Sequence, residues 1–377
     1  MPDPRTYWVG FNLVKGIGAA RLRSLLEYFS DISLAWDAPA DALRAAGLSE
    51  KLVESLGEVR SRISLEKLWE RLQEMGIKVL TWEDPDYPRL LKEVDQPPPV
   101  LYLKGDLDPC DDWAVAIVGT RRVTSYGRQV TEELAGALAR SGVTVVSGLA
   151  RGVDGLAHAT SVNAGGRTLA VLGSGVDRIY PPEHKRLAEN IQEHGAILSD
   201  YPPGTAPDAA NFPPRNRIIS GLARAVVVIE AGETSGALIT ARFAADQGRD
   251  VFAVPGGIYA PQSKGANRLI RDGARPLLDP QELLETLNVA LVQEQRSVRT
   301  VLPGDATEAK LYSLLGQEPL HVDDIGNQAG LPIEQVSAAL AMMELKGLVR
   351  QVGGMQYIAL REQPEVYQTE PPAKEES

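Results

Sequence analysis

Residues 114–152 read AVAIVGTRRVTSYGRQVTEELAGALARSGVTVVSGLARG and contain two short apolar runs, each followed by a glycine loop. The runs, Ala114 to Val118 and Val143 to Val146, are nearly unbroken and rich in β-branched residues. Such runs are typical of strands that are buried on both faces of a parallel sheet. An amphipathic segment, Val130 to Ala139, lies between them. The stretch therefore predicts a β-strand, an α-helix and a second β-strand parallel to the first.

The same alternation continues to residue 254. Further strand candidates are Thr168 to Leu172, Ala196 to Leu198, Ala225 to Ile229 and Val251 to Val254. Their spacing of roughly 25 to 30 residues fits right-handed βαβ units. We therefore expect an α/β fold, with an extended Rossmann-like, doubly wound and mostly parallel sheet, over residues 76–290. Ile77 to Thr81 and Val100 to Leu103 are two earlier strand candidates in this domain.

The segment before the sheet, residues 1–75, has leucines at helical spacing and predicts a small all-α domain of four or five short helices. Within it, Leu13 to Leu22 has the pattern of a helix-hairpin-helix, typical of a SAM-like domain, with two glycines around one apolar residue before a helix. The amides at that helix start are able to bind a phosphate. A packing module without a ligand explains the same pattern, and both interpretations stay open.

The segment after the sheet predicts a linker at residues 291–304 and a winged-helix domain at residues 305–361. The candidate recognition helix, Ile333 to Lys346, has no arginine or lysine before Lys346. A helix that reads DNA normally carries such residues, so we expect a protein-contact or structural role. Residues 362–377 hold five Glu and one Lys with three Pro, which predicts a disordered acidic tail.

The composition limits the class of protein. A length of 377 residues predicts two or three domains, and a hydrophobic fraction of 44% with a charged fraction of 24% excludes wholesale disorder. The single cysteine, Cys110, excludes an internal disulfide framework and any cysteine-rich metal site, and it fits a cytoplasmic location. No secretory signal or membrane span is expected, because no long apolar run is present.

The formal net charge of −11 argues against a generic nucleic-acid binder, but the charge is unevenly distributed. Residues 113–275 hold 18 Lys and Arg against 14 Asp and Glu, a net of +4. The acidic excess therefore lies in the flanking segments. In an open parallel sheet, ligands bind at the carboxyl ends of the strands. Here most of those ends open into glycine loops with arginines in or near them, an arrangement that favours phosphate binding.

Several catalytic motifs are missing. The sequence has no G-x-x-x-x-G-K-[ST], no G-x-G-x-x-G after the first strand of the alternation and no G-x-S-x-G. The four histidines, His158, His184, His194 and His321, show no metal-ligand spacing. Asp154 and Glu233 are candidate acids or bases, but helix capping and placement in a first helical turn explain them at least as well. We therefore expect a binding protein without catalytic residues, metal or cofactor.

The motifs of the central segment resemble those of the DNA-processing protein A (DprA/Smf) family. The matching stretches are Gly119-Thr120-Arg121-Arg122, Ser147 to Asp154, Leu172 to Asp177, Phe212 to Gly221 and Ser235 to Ala241. The resemblance implies single-stranded DNA binding in natural transformation, loading of the RecA recombinase, and a homodimer built through the Rossmann-like domain. Apolar residues between Ile258 and Ile270 are candidates for the dimer surface.

The resemblance also implies site residues. Arg121 matches a phosphate contact of the family. Arg167 matches a basic residue that follows paired glycines, where many members have lysine. Arg215-Asn216-Arg217 match the family's R-N-R block. Together with the glycine loops, these give the candidate DNA-binding residues Gly119, Thr120, Arg121, Arg122, Gly148, Arg151, Arg167, Gly173, Ser174, Arg215, Asn216, Arg217, Ser235 and Gly236. Few aromatic residues lie near these loops, so we expect contact mostly with the DNA backbone, with bases accommodated in pockets and little sequence preference.

Two alternatives remain open. Pro255-Gly256-Gly257 is similar to the loop of nucleotide-processing hydrolases of the lysine-decarboxylase-like group, although the residues that follow it differ from theirs. Release of a base from nucleoside monophosphates would support that alternative. A regulator that binds double-stranded DNA through the winged helix is the other alternative, and a preference for duplex over single strands would support it.

Overall fold

A computed structural model describes residues 3–287, 306–315, 319–345 and 349–359. The chain divides into two compact units, Met1–Val292 and Gln293–Ser377. In the described part of the chain, no helix combines the length and the apolar character needed to cross a membrane.

The first unit begins with six helices. They are α1 (Arg5–Asn12), α2 (Ala19–Phe29), α3 (Ile32–Asp37), α4 (Ala40–Ala45), α5 (Glu50–Arg62) and α6 (Leu65–Glu74). The sequence predicted four or five, because α3 and α4 are too short to show a clear apolar period. At the predicted hairpin, Gly16 has φ +101° and the following helix α2 begins after Gly18, which provides no side-chain cap.

A nine-stranded sheet follows. Its strands are β1 (Lys78–Thr81), β2 (Val100–Gly105), β3 (Ala114–Val118), β4 (Thr144–Ser147), β5 (Thr168–Val171), β6 (Gly195–Ser199), β7 (Ala225–Val228), β8 (Asp250–Ala253) and β9 (Arg275–Pro276). Their order in the sheet is β1-β2-β6-β5-β4-β3-β7-β8-β9. β1, β2 and β6 pair antiparallel, whereas all pairs from β6 to β9 are parallel. The predicted mostly parallel, doubly wound sheet is thereby confirmed.

Helices cover both faces of this sheet. They are α7 (Arg89–Lys92), α8 (Ser125–Arg140), α9 (Val153–Asn163), α10 (Lys185–His194), α11 (Phe212–Gly221), α12 (Ala237–Asp246), α13 (Lys264–Arg271) and α14 (Pro280–Thr286). Successive side chains of β3 alternate between the faces: Val115 and Ile117 pack in the core with α8 and α9, whereas Ala116 packs in the core with α11 and α12.

The N-terminal helices share a core with one end of the sheet. Trp8 and Phe11 of α1 are fully buried in a cluster that also contains Tyr102 of β2 and Ile197 of β6. Residues 5–74 therefore pack within the same compact unit as the sheet, and the predicted boundary at residue 75 marks a change of secondary structure inside it.

The direction of the chain reverses between β3 and β7. From β3 the strands run outward through β4 and β5 to β6, and β7 then returns to pair with the other side of β3. In doubly wound sheets such a switch point opens a crevice at the carboxyl ends of the two strands, where ligands bind. The fold therefore places the most favourable ligand position between the loops that follow β3 and β7.

The second unit contains helices α15 (Ala306–Leu314), α16 (Val322–Ala329) and α17 (Ile333–Leu345), with strands β10 (Leu320–His321), β11 (Val349–Gly353) and β12 (Gln356–Ala359). The strands form one small sheet in the order β10-β12-β11. Leu311, Ile325 and Leu340 lie in its buried core. The winged-helix prediction is confirmed, whereas the predicted linker and acidic tail lie outside the described residues.

Candidate nucleic-acid interface

A cleft of about 730 Å³ lies at the carboxyl ends of β3 and β7. Residues from the loops after β3 and β7 and from the starts of α11 and α12 form its walls. Its lining includes Gly119, Thr120, Arg121, Arg122, Asp154, Tyr180, Phe212, Pro213, Arg215, Asn216, Ser235 and Gly236. The cleft is therefore the crevice that the switch in strand order predicts.

Glu230, at the end of β7, anchors the loop after β3. Its backbone oxygen accepts a hydrogen bond from the Thr120 amide at 2.7 Å. Its carboxylate accepts from the Thr124 amide at 3.0 Å and from the Thr124 hydroxyl at 2.5 Å. A Cβ on Gly127 would lie 2.4 Å from a carboxylate oxygen of Glu230, so only glycine allows this close approach. The 2% exposed Glu230 is therefore a structural anchor, and it leaves the cleft without an exposed carboxylate at this point.

The loop after β4 is joined to the loop after β3. The amide of Val153 donates to the Thr120 oxygen at 3.2 Å. Gly152 has φ +76°, and a Cβ at this position would lie 2.3 Å from the same oxygen. A side chain here would be strained and would also clash. Three strand-end loops are thus held together by backbone contacts, and this fixes the position of Arg121.

Arg215 forms part of the cleft floor and is only 4% exposed. Its Nη1 donates to the Gly148 oxygen at 2.8 Å and to the Val171 oxygen. A Cβ on Gly148 would lie 2.5 Å from this nitrogen, which explains the glycine after β4. Burial lowers the pKa of Arg215 to about 10, so the side chain remains charged at neutral pH. Its Nε has no hydrogen-bond partner among the described residues.

Asp154, at the start of α9, is the main acidic group beneath the cleft. Burial raises its pKa, while the charge of Arg215 and the backbone of Ala150 and Gly148 oppose that rise. Asp154 as a whole is only 7% exposed. The charges of Asp154 and Arg215 therefore partly compensate each other in the lining of the cleft, and Arg121 adds a further positive charge there.

Two guanidinium groups lie close to the ring of Phe212. The Arg121 guanidinium is 5.5 Å from the centre of its ring, and that of Arg215 is 5.9 Å away. The ring of Tyr180 is 5.9 Å from the same ring, at an interplanar angle of 32°. Arg121 forms no ion pair with any residue that the structure describes. An aromatic face beside an uncompensated guanidinium suits a ligand with both an anionic group and a planar ring.

Arg151 borders a smaller cavity next to this cluster, which it shares with Arg121 and Arg215. It pairs with Glu183, and both side chains are about half exposed. The hydrogen bond to Glu183 raises the pKa of Arg151, and the same contact lowers the pKa of Glu183. Because exposed ion pairs are weak, a phosphate is able to replace this carboxylate.

The structure brings most predicted site residues together. Those that line the cleft are Gly119, Thr120, Arg121, Arg122, Arg215, Asn216, Ser235 and Gly236, and those that line the smaller cavity are Gly148 and Arg151. Gly173 lies against Phe212, since its Cβ would be 2.9 Å from the ring. Ser174 is buried, and its hydroxyl donates to the Arg178 oxygen.

Two predicted arginines lie elsewhere. Arg167 precedes β5 and so lies at the amino edge of the sheet, where it binds both oxygens of Asp111 at 3.0 and 2.9 Å. Burial disfavours the charge of Arg167, but the hydrogen bonds and charge of Asp111 outweigh this and raise its pKa. Arg217 turns away from the cleft and pairs with Asp200 at 2.8 Å. Neither side chain lines the cleft.

Sequence reasoning missed the anchoring role of Glu230. A charged residue that directly follows the apolar run of β7 was the available signal, because a carboxylate there needs buried partners.

One of the four histidines, His158, is buried inside the first unit. His158 is fully buried with Nδ1 2.7 Å from the Thr168 hydroxyl, and burial lowers its pKa to about 3. Within the described ranges, no group of three or more His, Cys, Asp or Glu side chains is placed to hold a metal ion.

Comparison with known proteins identifies related chains. The family described as DNA recombination-mediator protein A matches residues 78–288, and the DprA winged helix domain matches residues 295–355. Protein Smf of Synechocystis is 38% identical over 94% of this chain and 98% of its own length. DNA processing protein DprA of Bacillus subtilis is 40% identical over 67% of this chain and 84% of its own length.

Two solved structures of DNA processing protein A are also similar to this chain. DNA processing protein A from Streptococcus pneumoniae superposes with a TM-score of 0.67 at 34% identity, covering 74% of this chain and 97% of that one. DNA processing protein A from Helicobacter pylori, a structure that describes its single-stranded DNA binding mode, gives 0.51 at 32% identity. It covers 56% of this chain and 95% of that one.

Proposed function

This chain belongs to the DNA recombination-mediator protein A family, and on this premise we propose that it binds single-stranded DNA in the cleft between β3 and β7. The observation that carries the proposal is that the guanidinium groups of Arg121 and Arg215 both lie within 6 Å of the centre of the Phe212 ring in the cleft, at 5.5 and 5.9 Å. One strand of DNA offers a phosphate and an unstacked base to the same site, whereas a duplex keeps its bases inside. The cleft therefore suits single strands.

In the proposed site, side chains contribute more to phosphate binding than the backbone amides of the glycine loops and helix starts do. The first turn of α11 contains Pro213 and Pro214, which have no N–H to donate. In the loop after β3, the amides of Thr120 and Thr124 bind Glu230, and the amide of Arg122 binds the Thr120 hydroxyl. The guanidinium groups are therefore the principal phosphate ligands of the proposed site.

The wider proposal is a non-catalytic mediator in the cytoplasm. It protects incoming single strands during natural transformation, acts as a homodimer through the sheet unit and loads the RecA recombinase onto the strand. Family membership and the DNA-binding structural neighbour support this role. A direct test measures whether the protein speeds RecA filament formation on DNA that is already covered by a single-strand binding protein. No acceleration would contradict the loading role and leave DNA binding untouched.

Removing the Arg121 charge tests the DNA site. We expect Arg121→Ala to lower the affinity for a labelled oligonucleotide about tenfold or more, because charge-assisted hydrogen bonds contribute about 1.5–3 kcal/mol. The slope of log affinity against log salt should fall by about 0.7, the value for one single-strand phosphate contact. Fluorescence anisotropy at several salt concentrations measures both.

Arg140→Ala is the matched control. It removes the same charge from the exposed last residue of α8, roughly 20 Å along the helix from the cleft. This variant should keep the affinity and the slope of the unaltered protein. Equal behaviour of Arg121→Ala and Arg140→Ala would rule out the cleft as the DNA site.

A further inference from the structure

A second large cavity, of about 470 Å³, lies at the opposite edge of the sheet from the cleft. We call it the amino-edge cavity, because its lining includes Leu169 near the start of β5 and Leu222 shortly before β7. Its volume lies within the range of about 300 to 1,000 Å³ that is usual for ligand sites. Its lining shares no residue with the cleft.

The inner wall of the amino-edge cavity is apolar. Leu103, Leu169 and Leu222 line it and belong to the buried core on one face of the sheet. Leu80 and Leu107 are only half-buried, and they pack against the same core. Covering such surface is favourable in proportion to the apolar area removed from water. The wall therefore fits an apolar side chain of a ligand.

Acidic side chains outnumber basic ones in the rest of the lining. Five aspartates are present, and the basic residues are Lys78 and Arg89. The aspartates are Asp86, Asp106, Asp108, Asp111 and Asp112. The wider segment of residues 76–112 holds nine Asp and Glu against four Lys and Arg, a net of −5. An anionic ligand, DNA included, is therefore disfavoured in this cavity.

The ion pairs around the cavity are exposed. Lys78 pairs with Asp106, and their side chains are 60% and 75% exposed. Arg89 lies 3.7 Å from Asp112. Asp86 is exposed and forms no ion pair with any residue in the described ranges. Because exposed ion pairs contribute little, a basic side chain of a ligand is able to compete for these carboxylates.

We propose that the amino-edge cavity is a docking site for a segment of a partner protein in which lysine or arginine residues flank an apolar side chain. The apolar side chain enters the cavity, and the basic side chains pair with Asp86 and Asp106. A wholly apolar ligand would bury carboxylates without partners, which is costly. A polyamine would supply the charge but leave the apolar wall open to water. A metal ion alone does not fit, because the described residues contain no group of three or more His, Cys, Asp or Glu side chains placed to hold one.

Docking at this cavity leaves the DNA site open. Asp111 and Asp112 precede β3 whereas Arg121 follows it, so the two sites lie at opposite ends of the same strand. β3 has five residues, which corresponds to a length of about 16 Å. A partner in the cavity and a strand in the cleft therefore occupy different surfaces. The inference goes beyond the proposed function and does not depend on it.

Two short labelled peptides test the two parts of the site. In the first, lysines flank a leucine and a phenylalanine, and in the second, serines replace these two residues while the lysines stay. Fluorescence anisotropy with the full chain, without DNA, measures both affinities up to millimolar concentrations. The first peptide should bind at least about tenfold more tightly, the gain from one buried apolar side chain. No binding of the first peptide, or equal affinities of the two, would overturn the proposal.

Charge reversal tests where the peptide binds. Asp86→Lys should weaken the first peptide about fivefold or more, because an attractive contact becomes a repulsive one. Glu189→Lys, the same reversal at an exposed position of α10, is the matched control and should have little effect. Equal weakening by the two variants would show that the peptide responds to the net charge alone, which would contradict the site. Oligonucleotide affinity should be the same in both variants, and a selective loss in Asp86→Lys would place DNA at this edge instead.

Two further measurements complete the test. The first peptide should slow hydrogen exchange at residues 85–90 and 105–112, and protection confined to other segments would contradict the site. Spermidine is then added as a competitor at the same concentration of positive charge. Displacement as strong as that by unlabelled peptide would assign the cavity to a small polycation and overturn the docking proposal. Failure of the unaltered protein to bind an oligonucleotide would refute the proposed function alone.

Discussion

Two arginines at opposite edges of the central sheet, Arg121 and Arg167, have different partners. At the carboxyl edge, Arg121 lies over Phe212 and has no carboxylate partner among the described residues. At the amino edge, Arg167 is held by both oxygens of Asp111, and the Thr144 hydroxyl donates to the same carboxylate at 2.7 Å. Both arginines lie next to short strands in glycine-containing loops. Of these two arginines, Arg121 is therefore available to a ligand, whereas Arg167 serves as a structural link.

The cavities at the two edges show the same contrast. The amino-edge cavity, of about 470 Å³, has five aspartates and two basic residues in its lining, Asp86, Asp106, Asp108, Asp111 and Asp112 with Lys78 and Arg89. The carboxyl-edge cleft has three arginines and Asp154, which Arg215 compensates. The lining of the first cavity is therefore predominantly negative, and the lining of the second is predominantly positive. The local charge at each edge therefore matters more for DNA binding than the net charge of −11.

The largest expected effect comes from Arg215, which belongs to the carboxyl edge but is buried. Arg215→Met should lower the free energy of unfolding by about 3 kcal/mol, because it leaves Asp154 and two backbone oxygens without their buried partner. Urea denaturation measures this loss. Arg121→Met, which removes an exposed arginine near the same ring, should stay within about 0.5 kcal/mol of the unaltered protein. Equal stability of the two variants would contradict the structural role of the buried Arg215.

The second effect is acid destabilisation through His158 of α9, whose Nδ1 is hydrogen-bonded to the hydroxyl of Thr168 at the start of β5. Its pKa in the folded protein is about 3, below the ordinary value of 6.5. The neutral form therefore stabilises the fold above pH 6.5, and this contribution is lost as the pH falls from 6.5 towards 3. Between about pH 7.5 and pH 5 the loss should reach about 2 kcal/mol.

His158→Gln isolates that contribution, because glutamine does not titrate. Urea midpoints measured across this pH range should fall less in the variant than in the unaltered protein. Parallel curves for the two proteins would show that His158 does not control the acid response.

The third effect concerns the amino edge. Arg167→Ala should lower the free energy of unfolding by about 1–2 kcal/mol, because Asp111 loses two charge-assisted hydrogen bonds. The affinity for single-stranded DNA and its salt slope should not change. Thermal unfolding and anisotropy titration of the same sample measure both. A slope reduced by about 0.7 would show instead that Arg167 contacts a phosphate, as the family resemblance implies.

The smallest effect concerns Glu183 at the carboxyl edge. Glu183→Gln removes the carboxylate that pairs with Arg151, so this arginine becomes as available as Arg121. The affinity for single-stranded DNA should rise about twofold at low salt, with the gain decreasing as salt screens the charges. Glu189→Gln, on the following helix, is a control for the change in net charge. An equal gain in both variants would indicate a long-range charge effect.

Sequence alone predicted the sheet well because buried parallel strands leave a strong local signal. The runs at β3, β5 and β7 were located to within one or two residues. Long-range contacts were harder to foresee. The burial of Arg215 depends on Gly148, 67 residues away in the chain, and no local pattern shows this pair. Arg167 directly precedes β5, and the direction of the strand therefore already indicates that it lies at the amino edge of the sheet. The prediction that it binds DNA rested on its charge and on the family motif, without this information.

The anchoring of the cleft loops by Glu230 has a consequence for the kinetics of binding. Because the loops after β3 and β7 are joined by hydrogen bonds before any ligand arrives, little backbone entropy remains to be lost on binding. Association should then be limited by electrostatically guided diffusion. The protein would capture a strand as fast as the strand reaches it, and differences between strands would appear in how long each one stays bound.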